Sequence, residues 1–582
     1  MRRQGAVELP RRGSTLRMKR ARRLGLTGLA ALGLTLPAKP AEAVTTLTVD
    51  LSTPLGPVTH AASGSLYGVT ETLPADVTGL IAPLHPRMFN NPAADVQQPV
   101  GDAIVVAGRV APTGAQVTIR LADWFTGFYT FTSMTDWFNK IGQTVSRRKA
   151  AGLTNIYAYE IWNEPNGTWA ASNPLSFNDF WMQTFAQLRQ LDPTIKITGP
   201  STNVYDQAYI SSLLSFCKTN NCLPDIVGWH ELEGANLTGD IQNYRALEKT
   251  LGIGPLPISI NEYSGPGHID VEGQPGASAP LIAKFERFGV DSASISFWDV
   301  AHPGRLGSLL ATNTTTNGGW WFYKWYGDMA GNMVSTTPPT PSSATVLDGF
   351  ANLDSTGQSG SVLFGGTNDG TVQIVVKGFQ AAPFFGSTVH VEVDHTPFVS
   401  RTTAVSAINV LSSADVAVSG DQITVTVNGA NGTDGYRVLI TPVGGGVADA
   451  GSDAAAVDAG AKGDAGGQGG KDAGSVSDAG SRDATADDAS SVADASSGGM
   501  TDAGSGSDAA SSSSSSSSGG SSGGGSSSGN SDADTASSSD GGNQSSGCSC
   551  GVGARSGNAA TFGWLALLPL LALRRKRRAA WR

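Results

Sequence analysis

Residues 157–166 are Tyr157-Ala158-Tyr159-Glu160-Ile161-Trp162-Asn163-Glu164-Pro165-Asn166. An apolar, aromatic-rich run ends abruptly in a carboxylate set between two amides, and Pro165 cannot continue a strand because it lacks the ladder N–H. So apolar a run predicts a strand covered on both faces, the kind that fills parallel sheets. Five more short apolar strands are predicted to begin near Val117, Ile195, Ile226, Ile258 and Ser292, with successive starts 31 to 40 residues apart. Between them lie amphipathic helices. Phe177, Phe180, Trp181, Phe185, Leu188 and Leu191 share one helical face behind a capping start at Ser176 and Asp179, and Trp137, Ile141 and Val145 recur at i, i+4, i+8. Such βα units predict a parallel sheet with helices packed outside it. Two upstream strands, 64–69 and 86–89, bring the number to eight and predict an α/β fold, a closed (β/α)8 TIM barrel over residues 44–340. Those two lie only about 20 residues apart, so the first unit has a short or missing helix, and an open doubly wound sheet is the alternative.

Downstream, Val372, Ile374 and Val376, then Val389, Val391 and Val393, then Ile423, Val425 and Val427, alternate with polar or small residues. This is the period of half-buried antiparallel strands, and an all-β sandwich domain is expected over residues 341–443.

The ends of the chain have another character. The 582 residues carry 39 Lys+Arg against 49 Asp+Glu, a net charge of −10, which argues against a nucleic-acid partner. Residues 1–43 carry Arg22-Arg23, an apolar run from Leu24 to Leu36 and Ala41-Glu42-Ala43. This is the pattern of a secretory signal peptide cleaved near Val44, with translation starting at Met1 or Met18. Residues 444–547 repeat Asp-Ala-Gly and then collapse into Ser and Gly, a disordered linker without the apolar side chains needed to offset chain entropy. Residues 548–582 hold Cys548-Ser549-Cys550, an apolar helix around 562–573 and the basic cluster Arg574-Arg575-Lys576-Arg577-Arg578. That order resembles the C-terminal surface-sorting signal of myxobacterial proteins. The resemblance implies processing by sorting machinery near Cys548 or Cys550, with the chain exported and held at the cell surface by a membrane anchor. Cys217 and Cys222 are expected to close a small disulfide loop, as two cysteines without further ligands do not make a zinc site.

The chemistry gathers at strand ends, where barrel active sites form. A second strand, Ile258-Ser259-Ile260-Asn261-Glu262-Tyr263, also ends in Asn-Glu before a turn. Glu262 follows Glu164 by 98 residues, which is three βα units, so both carboxylates open on one rim. Glycoside hydrolysis through a covalent intermediate needs two carboxylates about 5–5.5 Å apart. Glu160, Glu231 and Glu233 lack a partner at such a spacing, and hydrogen-bonded structural roles are expected for Glu160 and Glu231. Arg120 ends its strand and is suited to orienting a carboxylate or a sugar hydroxyl, a structural ion pair being the alternative. His230 follows Trp229 at a rim position suited to lining the sugar site, a hydrogen-bonded structural histidine being the alternative, and Trp298 offers a face for stacking a sugar ring, with barrel core as its alternative.

Here the sequence resembles the retaining glycoside hydrolases built on a (β/α)8 barrel, with Asn-Glu-Pro ending the fourth strand and a nucleophilic Glu ending the seventh. It is most similar to family 39, the β-xylosidase and α-L-iduronidase family, through Trp162-Asn163-Glu164-Pro165-Asn166, Thr198-Gly199-Pro200, Val227-Gly228-Trp229-His230 and Asn261-Glu262-Tyr263. The likeness extends over residues 60–330; Asn261 stands where the family more often has Thr. The resemblance implies Glu164 as acid/base, Glu262 as nucleophile and Asn163 on the sugar hydroxyl next to the anomeric carbon, with Tyr263 also in the substrate site. Glu164 must then be protonated while Glu262 is an anion. A carbohydrate substrate is implied, of a β-xylosidase-like kind, with no cofactor and no metal. The rival expectation is a non-catalytic carbohydrate-binding or adhesion protein on the same barrel.

Overall fold

The computed structural model describes residues 44–93, 100–296, 302–368 and 370–444. The expected signal peptide, the linker from 445 onward, the C-terminal anchor and Trp298 lie outside the described residues. Among the described residues no helix is long and apolar enough to cross a membrane.

The chain opens with β1 (Val44–Pro57), then lays down eight parallel strands: β2 (Gly64–Leu66), β3 (Met88–Pro92), β4 (Gln116–Arg120), β5 (Ile156–Glu160), β6 (Lys196–Thr202), β7 (Ile226–Glu231), β8 (Ile258–Tyr263) and β9 (Ser292–Ile295). They pair in chain order, and Ser65 opposite Ile295 closes the TIM barrel. The crossover helices are α1 (Val77–Leu80), α2 (Ala103–Val110), α3 (Met134–Ala151), α4 (Pro165–Thr168), α5 (Phe177–Leu191), α6 (Gln207–Asn220), α7 (Leu237–Leu251) and α8 (Pro275–Arg287). Their ends are marked in the sequence. Ser133, Ser176 and Asp206 accept the orphan N–H groups of α3, α5 and α6, and Gly152 and Gly252 take the left-handed conformation that ends α3 and α7. The first βα unit has only the four-residue α1, which accounts for the close spacing of β2 and β3.

After the barrel, α9 (Gly318–Gly327) buries Trp320, Phe322, Tyr323, Trp325 and Tyr326. The partly exposed Trp321 and Lys324 form its outer face, with Lys324 paired to Asp328. The β domain follows with β10 (Asn332–Thr337), β11 (Asp348–Asp354), β12 (Ser359–Gly365), β13 (Gly370–Lys377), β14 (Thr388–Thr396), β15 (Asn409–Ala417), β16 (Gln422–Ala430) and β17 (Gly435–Pro442). With β1 they form one continuous nine-stranded sheet, ordered β15-β14-β17-β12-β11-β10-β1-β13-β16, over a single apolar core. This corrects the expected domain boundary. β1 and β10 belong to the β domain, with β1 antiparallel to β10 and parallel to β13. Leu47, Val49 and Leu51 of β1 alternate into the β-domain core, so the domain is discontinuous and the barrel is inserted within it.

The cysteine expectation is also corrected. Cys217 and Cys222 are free, buried thiols. Asn221 turns left-handed at the end of α6, and the Cys222 N–H donates to the Cys217 carbonyl at 3.0 Å. The helix is thus closed by an ordinary C-cap without a covalent link.

Candidate active site

The carboxyl end of β5 is held from several sides. Glu160 ends the strand fully buried, and Trp162 packs edge-on against Tyr129, Trp137, Trp169 and Phe180. Its indole N–H donates to Thr168 Oγ1 at 3.0 Å, and the Thr168 hydroxyl lies 2.7 Å from the Asn163 carbonyl oxygen. Glu164 itself has φ +52, a left-handed conformation costing a non-glycine residue on the order of 1–3 kcal/mol. Its N–H donates to the Ser201 carbonyl of β6, and Pro165 at once begins α4. Burial, a strap and a helix start thus hold the acid where the chain alone would not settle.

Across the rim, β7 and β8 bring His230 into register with Glu262. His230 is fully buried, with Nδ1 3.2 Å from Glu164 Oε1 and Nε2 3.6 Å from Glu262 Oε1. One donor atom from each of Glu164, His230 and Glu262 lies within 4.8 Å of the others. The Glu164 side chain is 24% exposed and that of Glu262 6%, so the site opens on the Glu164 side. Burial works to depress the His230 imidazolium, but the Glu262 charge, the hydrogen bond to Glu164 and the Glu164 charge outweigh it and raise its pKa. Three such ligands could hold a divalent ion, yet Arg120 already sets a cation 2.7 Å from Glu262 Oε1, which any metal would have to face.

Arg120 ends β4 and is 1% exposed. It donates from Nη1 to Glu262 and from Nε to Glu160 Oε2 at 3.0 Å, while Glu160 Oε1 accepts from Asn261 Nδ2 at 2.7 Å. Arg120 is therefore the orienting partner of a carboxylate and a buried ion pair at once. Glu160 has the hydrogen-bonded structural role expected of it. Glu231 has that role too: it accepts from the Trp229 indole at 2.8 Å, and burial pushes its carboxyl up to about 8.

Asn163 lies at the site, 4% exposed, donating from Nδ2 to the Tyr129 hydroxyl at 3.2 Å, with its Oδ1 left without a partner among the described residues. Tyr263 does not. Its hydroxyl lies 2.6 Å from that of Tyr323 and donates to the Ala62 carbonyl, and its ring packs on Phe285 of α8. Consecutive side chains of a strand face opposite ways, so the register that turns Glu262 into the barrel turns Tyr263 out against the helices.

Three residues at the site carry no sequence motif. Asp123, fully buried, accepts from the Tyr129 hydroxyl at 3.0 Å and from the Tyr67 hydroxyl at 2.5 Å, and Tyr67 in turn accepts from Arg120 Nη1 at 3.1 Å. The one signal available for Asp123 is its place three residues beyond Arg120, on the same rim.

The family model for glycosyl hydrolases family 39 matches residues 117–251. A solved structure from Neocallimastix frontalis is 46% identical, covering 69% of this chain and 100% of that one with a TM-score of 0.67. A curated 3-O-β-L-arabinopyranosyl-α-L-arabinofuranosidase from Bifidobacterium pseudocatenulatum is 27% identical over 473 residues, 69% of this chain and 48% of the relative. A 3-O-α-D-galactosyl-α-L-arabinofuranosidase from Bifidobacterium longum subsp. longum is 28% identical over 506 residues, 72% of this chain and 43% of the relative. The alignments thus take in less than half the length of these two curated relatives.

Proposed function

Because this chain belongs to the glycoside hydrolases of the family 39 type, we propose that it cleaves O-glycosidic bonds with retention, and that its substrates are α-L-arabinofuranosides. The observation that carries the reading is the carboxylate pair, with one oxygen of Glu164 and one of Glu262 within 4.8 Å. That spacing suits direct attack by one carboxylate, whereas inversion leaves about 6.5–9.5 Å for a water. Glu262, oriented by Arg120 Nη1 at 2.7 Å from its Oε1, attacks the anomeric carbon as the Glu164 carboxylic acid gives its proton to the departing oxygen. The bond to the leaving group breaks and a glycosyl ester on Glu262 forms. Glu164, now a carboxylate, takes a proton from water, whose oxygen displaces Glu262 and restores both groups. His230, a ring nitrogen from each carboxylate, steadies the pair through both steps. The names of the two curated relatives favour arabinofuranosides over β-xylosides. The signal-like residues 1–43 and the Cys548–Arg582 segment support an exported protein held at the cell surface.

The test is trapping with 2-deoxy-2-fluoro-α-L-arabinofuranosyl fluoride, followed by mass spectrometry of the digested protein. A label on the peptide bearing Glu262 is expected. Turnover with inverted configuration and no label would reject the retaining mechanism. Glu262→Ala is expected to lose activity on all glycosides, whereas Glu164→Ala keeps part of it on 4-nitrophenyl glycosides, whose leaving group needs no proton.

A further inference from the structure

The mechanism uses Glu164 and Glu262, and Glu160 is tied to Arg120 and Asn261, yet a further carboxyl group is sealed into the same rim. Asp123 is fully buried and its two oxygens serve two different arms. One runs from Asp123 Oδ1 through the Tyr129 hydroxyl to Asn163 Nδ2; the other runs from Oδ2 through the Tyr67 hydroxyl to Arg120 Nη1, which also holds Glu262. The polarity of the first arm follows from its end. A carboxylate only accepts, so Tyr129 must give its proton to Asp123; its oxygen then accepts from the Asn163 amide N–H. The carbonyl end of Asn163 is thereby turned away from Tyr129, and among the described residues its buried Oδ1 has no partner, a desolvated acceptor that a ligand donor would satisfy.

We propose that Asp123 is a positioning residue that, acting through Tyr129, fixes the Asn163 amide so that Oδ1 accepts the substrate hydroxyl next to the anomeric carbon. The site would thereby select sugars carrying a free hydroxyl at C2. The inference rests on the glycosidase reading above. If Asp123 were protonated or replaced by an amide, it could donate to Tyr129 instead; the Tyr129 proton would then be free to point at Asn163, and the amide would no longer have one preferred orientation. Burial pushes the Asp123 carboxyl up to about 7, against the opposing pull of Arg120 and the two hydroxyl hydrogen bonds, with Glu160 adding to the rise.

The test compares kcat/KM of the full chain for 4-nitrophenyl α-L-arabinofuranoside and its 2-deoxy counterpart, in wild type, Asp123→Asn and Tyr129→Phe. The ratio of the two measures preference for the hydroxyl, and it is expected to fall by about tenfold in both variants, the worth of one well-made hydrogen bond. In wild type it should rise between about pH 6 and pH 8 as Asp123 ionises, and in Asp123→Asn it should stay level. A purely structural role would slow both substrates alike and leave the ratio unchanged, which would overturn the proposal. Should Asp123→Asn fail to fold, Tyr129→Phe keeps the carboxylate and decides alone. A wild type inert towards both glycosides would instead remove the arabinofuranosidase reading, and this inference with it.

Discussion

At the residue scale the site depends on a buried charge balance. Arg120 faces Glu160 and Glu262, all three almost free of solvent. Loss of one member of such a group typically costs about 3–5 kcal/mol, because the partners keep their desolvation penalty. Arg120→Met is therefore expected to lower the denaturation midpoint sharply and abolish turnover. Arg120→Lys should fold better yet remain slow, since an ammonium cannot address Glu160 and Glu262 with the fork of a guanidinium; urea melts and kcat on an aryl glycoside read both. A second expectation concerns Glu231, held neutral by burial up to about pH 8. Between its ordinary value of 4.5 and 8 the unfolded chain loses this proton while the folded chain keeps it. Its contribution is therefore fully present below pH 4.5 and fades as pH rises towards 8, a loss on the order of a few kcal/mol. Melting curves of Glu231→Gln across pH 5 to 8 should fall less with pH than those of wild type; parallel curves would refute the assignment.

At the element scale, the sequence's legibility follows from what each element needs. Strands β4 to β9 are short apolar runs and their spacing is visible directly; Glu164 and Glu262 stand out because each ends such a run with an amide before it. Strand parity with Glu262 turns Tyr263 away from the barrel interior, against the placement that likeness implies. Asp123 and Tyr129 lie six residues apart beyond β4 and Tyr67 just beyond β2, and the pairing of β2, β3 and β4 brings all three to one rim. The alternation of β1 announces a strand without naming its neighbours, since pairing with β10 and β13 is set by contacts 275 to 327 residues away. Closure itself hangs on the shortest strand. Gly64 of β2 has φ +149, and a Cβ there would meet the Met88 carbonyl oxygen at 1.8 Å. Gly64→Ala should push β2 off β3, at about 1–3 kcal/mol or more, with the barrel melting earlier by circular dichroism.

At the scale of the whole molecule, the inserted barrel and its β domain are joined through α8. Lys284 of α8 is fully buried and donates to Asp348 Oδ2 at the start of β11 at 3.0 Å, while Arg287 reaches Asp348 Oδ1 at 2.8 Å. Burial lowers the Lys284 pKa and Asp348 partly restores it. Removing the carboxylate leaves Lys284 buried in the joint between the domains without its counter-charge, so Asp348→Ala is expected to cost about 3–5 kcal/mol near neutral pH. A distinctive sign follows from linkage. The abandoned lysine would ionise only in the unfolded chain, so the penalty should shrink as pH rises through 10.5, the ordinary lysine value, above which both states are neutral. Replacing both partners together, as Lys284→Met with Asp348→Leu, removes the need for charge and should recover most of the stability. If the double replacement melts as low as Asp348→Ala, and neither responds to pH, the joint is held by apolar packing of α8 against β11 and β12 rather than by this ion pair.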